Sequence, residues 1–202
     1  MIKNVIFDVG RVLITWNPES TMKELGCTDS EIELIKSRLF VPGVWDEEDR
    51  CVKSPEELCD FFASAVPELE DKVRAFYPIA TESAKLASYT HDWIESLKNA
   101  GIGVYVLSNF GERAWNNAVG RGVIDFLDMV DGYLVSYMIH QIKPDPEIFE
   151  ALLSKYNLKK DECVFVDDAK RNIEGAEAIG IKGILFEDYE SARKQLEEVL
   201  GL

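Results

Sequence analysis

Hydrophobic positions in this chain follow two rhythms. Short apolar runs rich in Val, Ile, Phe and Tyr occupy residues 4–9 (NVIFDV), 102–107 (IGVYVL), 133–137 (YLVSY), 163–166 (CVFV) and 182–186 (KGILF). Runs of this kind predict strands covered on both faces. From the second run onward they alternate with segments of helical period at 111–121, 146–156, 170–180 and 188–200. The helix at 146–156 has Asp145 as its expected cap and Pro146 at its first position. This alternation predicts an α/β fold, a doubly wound and mostly parallel sheet.

Roughly 90 residues separate the first run from the second, far more than a single crossover helix needs. The interval holds Asp29-Ser30 followed by EIELIKSRLF, then Ser54-Pro55-Glu56-Glu57 leading into LCDFFASA, and further helical patterns near 68–77 and 82–100. The second of these is a capping box with proline at the first helical position. The expectation is an inserted, all-helical unit over 16–88, carried by a core made of 1–15 and 89–202. Its aromatics Phe40, Trp45, Phe61, Phe62, Phe76 and Tyr77 are expected to form its own small core, with Trp16 at the hinge.

With 202 residues, 47% hydrophobic and 10% aromatic, the chain can bury one core and a small second module. Its 22 Lys+Arg against 37 Asp+Glu leave a net charge of -15, a field that repels nucleic-acid backbones and anionic lipid surfaces. Neither nucleic acid nor membrane is therefore an expected partner, and a small anionic ligand needs a local positive group. Cys27, Cys51, Cys59 and Cys163 form no CxxC pair, and His91 and His140 are the only histidines, so the spacing does not suggest zinc. The opening MIKNVIF is too short an apolar run for a signal peptide, and no apolar stretch approaches ~18 residues, so a soluble cytoplasmic protein with reduced thiols is expected.

In an open parallel sheet the ligand crevice lies beyond the carboxyl ends of the strands. The residues that end the apolar runs are Asp8, Ser108 with Asn109, and Asp167 with Asp168, while Lys143-Pro144-Asp145-Pro146 stands just before a helix. Any one of these carboxylates on its own reads as an ordinary helix cap. Converging on one crevice, they repel by about 4 kcal/mol per close pair at surface-like dielectric, and such a cluster calls for a cation. Oxygen ligands without His or Cys point to Mg²⁺.

The ordered set FDVGRVL, VLSN, KPDPEIF and FVDDAKRNI resembles the four motifs of the haloacid dehalogenase superfamily of hydrolases, and the helical insertion resembles its cap. The resemblance implies that Asp8 is a nucleophile that becomes an aspartyl-phosphate, with Ser108 and the Asn109 backbone amide holding the phosphoryl oxygens. It implies that Lys143 neutralises both Asp8 and the phosphoryl group. Mg²⁺ would sit on Asp8, the Gly10 carbonyl and Asp168, with Asp167 and Asn172 acting nearby or through water. A Mg²⁺-dependent phosphatase for a small phosphorylated metabolite, a sugar phosphate above others, is the implied activity.

One departure stands out. Phosphatases of the family usually carry a second Asp two residues after the nucleophile, as acid and base, and here that position is Gly10, followed by Arg11. Losing such a group costs about 10²- to 10⁴-fold. The Asp-x-Gly form resembles a subgroup that includes bacterial phosphatases of glucose 1-phosphate, and it predicts a preference for esters with good leaving groups. Arg11 is read either as a substrate-phosphate contact or as a charge facing the helical insertion. His140 is weighed as a substitute acid/base against an ordinary loop histidine. The charged run Asp46-Glu47-Glu48-Asp49-Arg50 is read as a solvated helix face. Rival readings are a dehalogenase using the same aspartate on carbon, a phosphomutase, and a binding protein that has lost turnover.

Overall fold

The computed structural model describes all 202 residues. Seven strands occur in chain order: β1 (Asn4–Phe7), β2 (Ile14–Thr15), β3 (Lys85–Leu86), β4 (Gly103–Ser108), β5 (Gly132–Val135), β6 (Cys163–Asp167) and β7 (Lys182–Leu185). The helices are α1 (Pro18–Glu24), α2 (Asp29–Leu39), α3 (Asp46–Arg50), α4 (Pro55–Ala65), α5 (Glu70–Phe76), α6 (Thr90–Asn99), α7 (Glu112–Gly120), α8 (Pro146–Tyr156), α9 (Lys170–Ala178) and α10 (Tyr189–Leu200).

Five strands form one parallel sheet in the order β5-β4-β1-β6-β7. Alternation along the central strands decides which helix covers which face. Val5, Phe7, Val104, Val106, Val164 and Val166 pack with Trp93 of α6, Trp115 of α7 and Leu196 of α10. Ile6, Leu107 and Phe165, pointing the other way, pack with Phe149 of α8 and Ile173 of α9. Burial on both faces is what the unbroken apolar runs require, and the doubly wound α/β expectation is met. With β1 central, β4 on one side of it and β6 on the other, the carboxyl ends of these three strands surround one crevice.

Between β2 and β3 the chain is helical, and Met22, Ile35, Leu39, Phe62, Val73 and Phe76 form a separate apolar cluster there. Two capping boxes start its longer helices, the expected one at Ser54 with Glu57 and a second at Thr28 with Glu31. The helix expected over 82–100 begins only at Thr90, because Lys85 and Leu86 are drawn out into a strand antiparallel to Thr15 and Ile14. Long-range pairing overrides local propensity there, and the Ala87 amide extends it by donating to the Leu13 carbonyl at 3.1 Å.

Asp145 stands at the N-cap position of α8 but does not cap it; its carboxylate instead takes Arg50 of α3 at 2.9 Å. The strand expected over 133–137 stops at Val135, and Ser136 turns its hydroxyl toward neighbouring carbonyls instead. All four cysteines are free. No helix is long and apolar enough to cross a membrane.

Candidate active site

Asp8 follows β1 directly, and its amide is fixed by the Val166 carbonyl of β6 at 2.9 Å. Its side chain is buried. Lys143 Nζ donates to Asp8 Oδ1 at 2.7 Å and Ser108 Oγ to the same oxygen at 3.1 Å, which leaves Oδ2 without a protein donor. Lys143 is 1% exposed and spends all three protons, the others going to Asp167 Oδ2 at 2.7 Å and the Leu107 carbonyl at 3.0 Å. Burial alone would lower its pKa, but the charges of Asp167 and Asp8 outweigh it and the net direction is up.

Asn109 holds the lysine in place. Its amide side chain donates to the Lys143 carbonyl at 3.0 Å and accepts from the Lys143 amide at 2.8 Å. Asp167, fully buried, is saturated by Lys143, the Ala169 amide at 2.8 Å and Asn172 Nδ2 at 3.0 and 3.1 Å. Asp168 is more open and lies 3.8 Å from Arg11, which also stacks 5.5 Å from the Trp16 ring. Arg11 adopts a left-handed backbone with φ of 61°, a conformation uncommon for a side-chain-bearing residue and costing about 1–3 kcal/mol.

Carboxylate oxygens of Asp8, Asp167 and Asp168 lie within 4.8 Å of one another. Burial is the main reason the Asp8 carboxyl is raised to about 7, with Lys143 opposing and the other two carboxylates adding. Asp168 is also raised, chiefly by burial and then by Asp167. Three carboxylates against the one buried ammonium leave an excess of negative charge that Arg11, 3.8 Å from Asp168 at the more open side, offsets only in part, and a divalent cation would cancel the rest. Asn172 Oδ1 is a buried acceptor with no partner in the same wall, which suits a metal-bound water. An all-oxygen donor set of this kind fits Mg²⁺.

Above the cluster lies a cavity of about 350 Å³ lined by residues of the sheet side and the helical region together. Trp16, Phe40 and Trp45 form one wall, with ring centroids 4.7 to 5.8 Å apart. Phe40 and Trp45 therefore face the cavity as well as the helical core in which they were expected. Trp16 is held by Nε1 donating to the Ala80 carbonyl at 2.7 Å. His140 does not line the cavity; its Nδ1 meets the Arg50 carbonyl at 2.9 Å.

The run Asp46–Arg50 is where the structure departs most from the reading of a solvated face. Helix α3 is clamped to the sheet side by Arg171 on Asp46 at 2.8 Å, Arg50 on Asp145 at 2.9 Å, and Ser136 Oγ donating to the Asp49 carbonyl at 2.6 Å. Glu48 and Asp49 are buried, and Asp46 and Asp49 line the cavity. Burial is the largest cause in each case of raised carboxyls at Glu48 and Asp49.

A family model described as haloacid dehalogenase-like hydrolase matches residues 29–180, three-quarters of the chain. The chain belongs to that family. As a haloacid dehalogenase-like hydrolase it is 26% identical over 203 residues to a sesquiterpene phosphatase of Aspergillus oryzae, covering 98% of this chain and 97% of the relative. It is 27% identical over 217 residues to a D-ribitol-5-phosphate phosphatase of Bacteroides thetaiotaomicron, with all of both chains covered. Its fold matches a family enzyme of the same bacterium solved with magnesium and inorganic phosphate, at 22% identity and a TM-score of 0.72, over 95% of this chain and 98% of the other.

Within this hydrolase, Asp8, Gly10, Arg11, Asn109, Lys143 and Asp168 border one cavity, while Ser108 and Asp167 lie behind them as partners of Asp8 and Lys143. Asp46 and Asp49, read from the sequence only as part of a solvated face, join that wall together with Arg171. Their only sequence signal was the i, i+3 spacing of Asp46 and Asp49, which puts both on one helix face.

Proposed function

We propose that this hydrolase is a Mg²⁺-dependent phosphatase of small phosphorylated metabolites that works through an aspartyl-phosphate on Asp8. The observation that carries this reading is Lys143, buried and shared between Asp8 and Asp167 at 2.7 Å each, beneath a cavity open to a ligand. A nucleophilic carboxylate needs an adjacent cation to tolerate an incoming dianion, and Lys143 supplies it. Ser108 orients Asp8; Asn109 holds the Lys143 backbone, and its own amide is assigned to the phosphoryl oxygens. Asp8, the Gly10 carbonyl and Asp168 are the residues assigned to hold Mg²⁺, with Asp167 orienting Lys143 and Asn172. Bound there, the ion would neutralise charge developing on the transferring phosphoryl group. The division into a core of 1–15 and 89–202 and a cap of 16–88 belongs to the same reading, the cap closing the cavity over the substrate.

For substrate class we propose a sugar or polyol phosphate. Support comes from the mixture of stacking rings with Asp46, Asp49, Arg11 and Arg171 around one cavity, a lining that suits a hydroxylated ligand, and from the D-ribitol-5-phosphate phosphatase relative. The Asp-x-Gly form supports the glucose 1-phosphate-like subgroup. The apolar wall of Trp16, Phe40 and Trp45 favours a second reading, a prenyl-type phosphate, in line with the sesquiterpene phosphatase relative.

The test is phosphate release from sugar 1-phosphates, polyol 5-phosphates, farnesyl phosphate and p-nitrophenyl phosphate, with Mg²⁺ or EDTA, for wild type and Asp8→Asn. Metal-dependent release lost in Asp8→Asn is expected, with sugar or polyol esters fastest. Release that survives in Asp8→Asn sinks the mechanism.

A further inference from the structure

Departure of an alkoxide from phosphorus needs a proton donor, and position 10 has no side chain to give one. Each other titratable group at the cavity is already committed. Lys143 gives its protons to Asp8, Asp167 and the Leu107 carbonyl. Asp46 is ion-paired with Arg171 at 2.8 Å, and Asp168 belongs to the carboxylate cluster beside Asp8. His140 lies outside the cavity lining, turned to the Arg50 carbonyl.

Asp49 is the exception. It is 8% exposed, lines the cavity, and its carboxyl makes no hydrogen bond within the protein; only its backbone carbonyl is used, by Ser136. Building on the phosphatase reading, we infer that Asp49, reaching in from α3, is the general acid and base that Gly10 does not provide. In the first step an Asp8 oxygen bonds to phosphorus, the ester P–O bond breaks, and the Asp49 carboxyl passes its proton to the departing oxygen. In the second, the Asp49 carboxylate takes a proton from water as the water oxygen attacks phosphorus. The Asp8–phosphorus bond breaks, phosphate leaves, and Asp49 is protonated again.

The surroundings agree with that role. Glu48 and Asp46 on its own helix and Asp8 across the cavity all disfavour the charged form of Asp49, whereas Lys143 and Arg171 favour it. Burial dominates and keeps its carboxyl well above the usual range, so it holds a proton nearer neutrality than an exposed aspartate does. A Cβ added at Gly10 would meet nothing within 4 Å, so an aspartate side chain can start there without a clash.

The experiment compares kcat/KM for glycerol phosphate, a poor leaving group, with p-nitrophenyl phosphate, a good one, in wild type, Asp49→Asn, Gly10→Asp and the double variant. Circular dichroism and thermal melts confirm folding. Asp49→Asn is expected to lose about 10²- to 10⁴-fold on glycerol phosphate and much less on p-nitrophenyl phosphate, and to lose the alkaline limb of its pH profile. Adding Gly10→Asp to Asp49→Asn should restore the alkyl ester. An equal loss on both esters, or none, overturns the role of Asp49 while leaving the phosphatase standing. No Asp8-dependent turnover of any ester in wild type overturns both.

Discussion

Gly111 and Glu48 are in such close approach that a Cβ placed on Gly111 would stand 2.6 Å from the Glu48 carboxylate oxygen and 2.8 Å from its backbone carbonyl. The start of α7 is thus a seat for α3, the helix that brings Asp46 and Asp49 to the cavity. Gly111→Ala is expected to push α3 outward and lower kcat/KM by about 10²-fold, the cost of roughly 1 Å of misplacement. Steady-state kinetics beside a thermal melt check this, and an unchanged kcat/KM would show that α3 need not be seated for turnover.

A similar seat positions the lysine. A Cβ on Gly175 of α9 would lie 2.6 Å from the Pro144 carbonyl oxygen, one residue from Lys143. Gly175→Ala is expected to destabilise by about 1–3 kcal/mol through overpacking, whereas Gly10→Ala, with open space around it, should leave stability nearly unchanged. Paired urea titrations measure the contrast.

Lys143→Met removes the partner of two buried carboxylates. Breaking a buried pair in this way costs about 3–5 kcal/mol, far more than breaking an exposed surface pair such as Lys3–Glu162. Chemical denaturation of Lys143→Met and Lys3→Met should show that difference in rank; equal losses would mean the Lys143 pairs contribute no more than a surface bridge.

Asp49 also makes a pH prediction for stability. Its carboxyl is raised in the folded state, so the folded protein holds that proton more tightly than the unfolded chain does. Its stabilising contribution is therefore full below the ordinary carboxylate pKa of about 4 and is lost as pH rises through the higher folded value. Asp49→Asn, which cannot ionise, should melt higher than wild type near pH 8, and the advantage should vanish below about pH 4. A constant difference across that range would mean that Asp49 ionises as easily folded as unfolded.

Mg²⁺ should raise the melting temperature of wild type, because a ligand at about 100 times its Kd adds about 2.7 kcal/mol to the folded state. Asp168→Asn should abolish that shift while remaining folded without metal. A full shift in Asp168→Asn would remove Asp168 from the ion's site.

Much of the sheet and of the crevice floor was legible in the sequence because each rests on a local signal. Val5, Ile6 and Phe7 form an unbroken run because both faces of β1 are buried, and Asp8, Ser108 and Asp167 end their runs because the crevice lies there. The two-residue strands at Ile14–Thr15 and Lys85–Leu86 carry no periodicity and exist only through their pairing. Asp46 and Asp49 were hidden for a related reason. Five consecutive charged residues read as solvated, and their burial depends on Gly111, Ser136, Asp145 and Arg171, which arrive from distant parts of the chain. The side chain of Asn109 was likewise illegible, since only the fold shows that it grips the Lys143 backbone.

The central claim is that Asp8 carries the phosphoryl group. Acid quench of wild type during turnover of p-nitrophenyl phosphate with Mg²⁺, followed by peptide mass mapping, tests it directly. The expected result is a phosphate adduct on the peptide that contains Asp8, absent with EDTA and in Asp8→Asn. Turnover with no adduct on that peptide, or an adduct on another residue, would contradict the account.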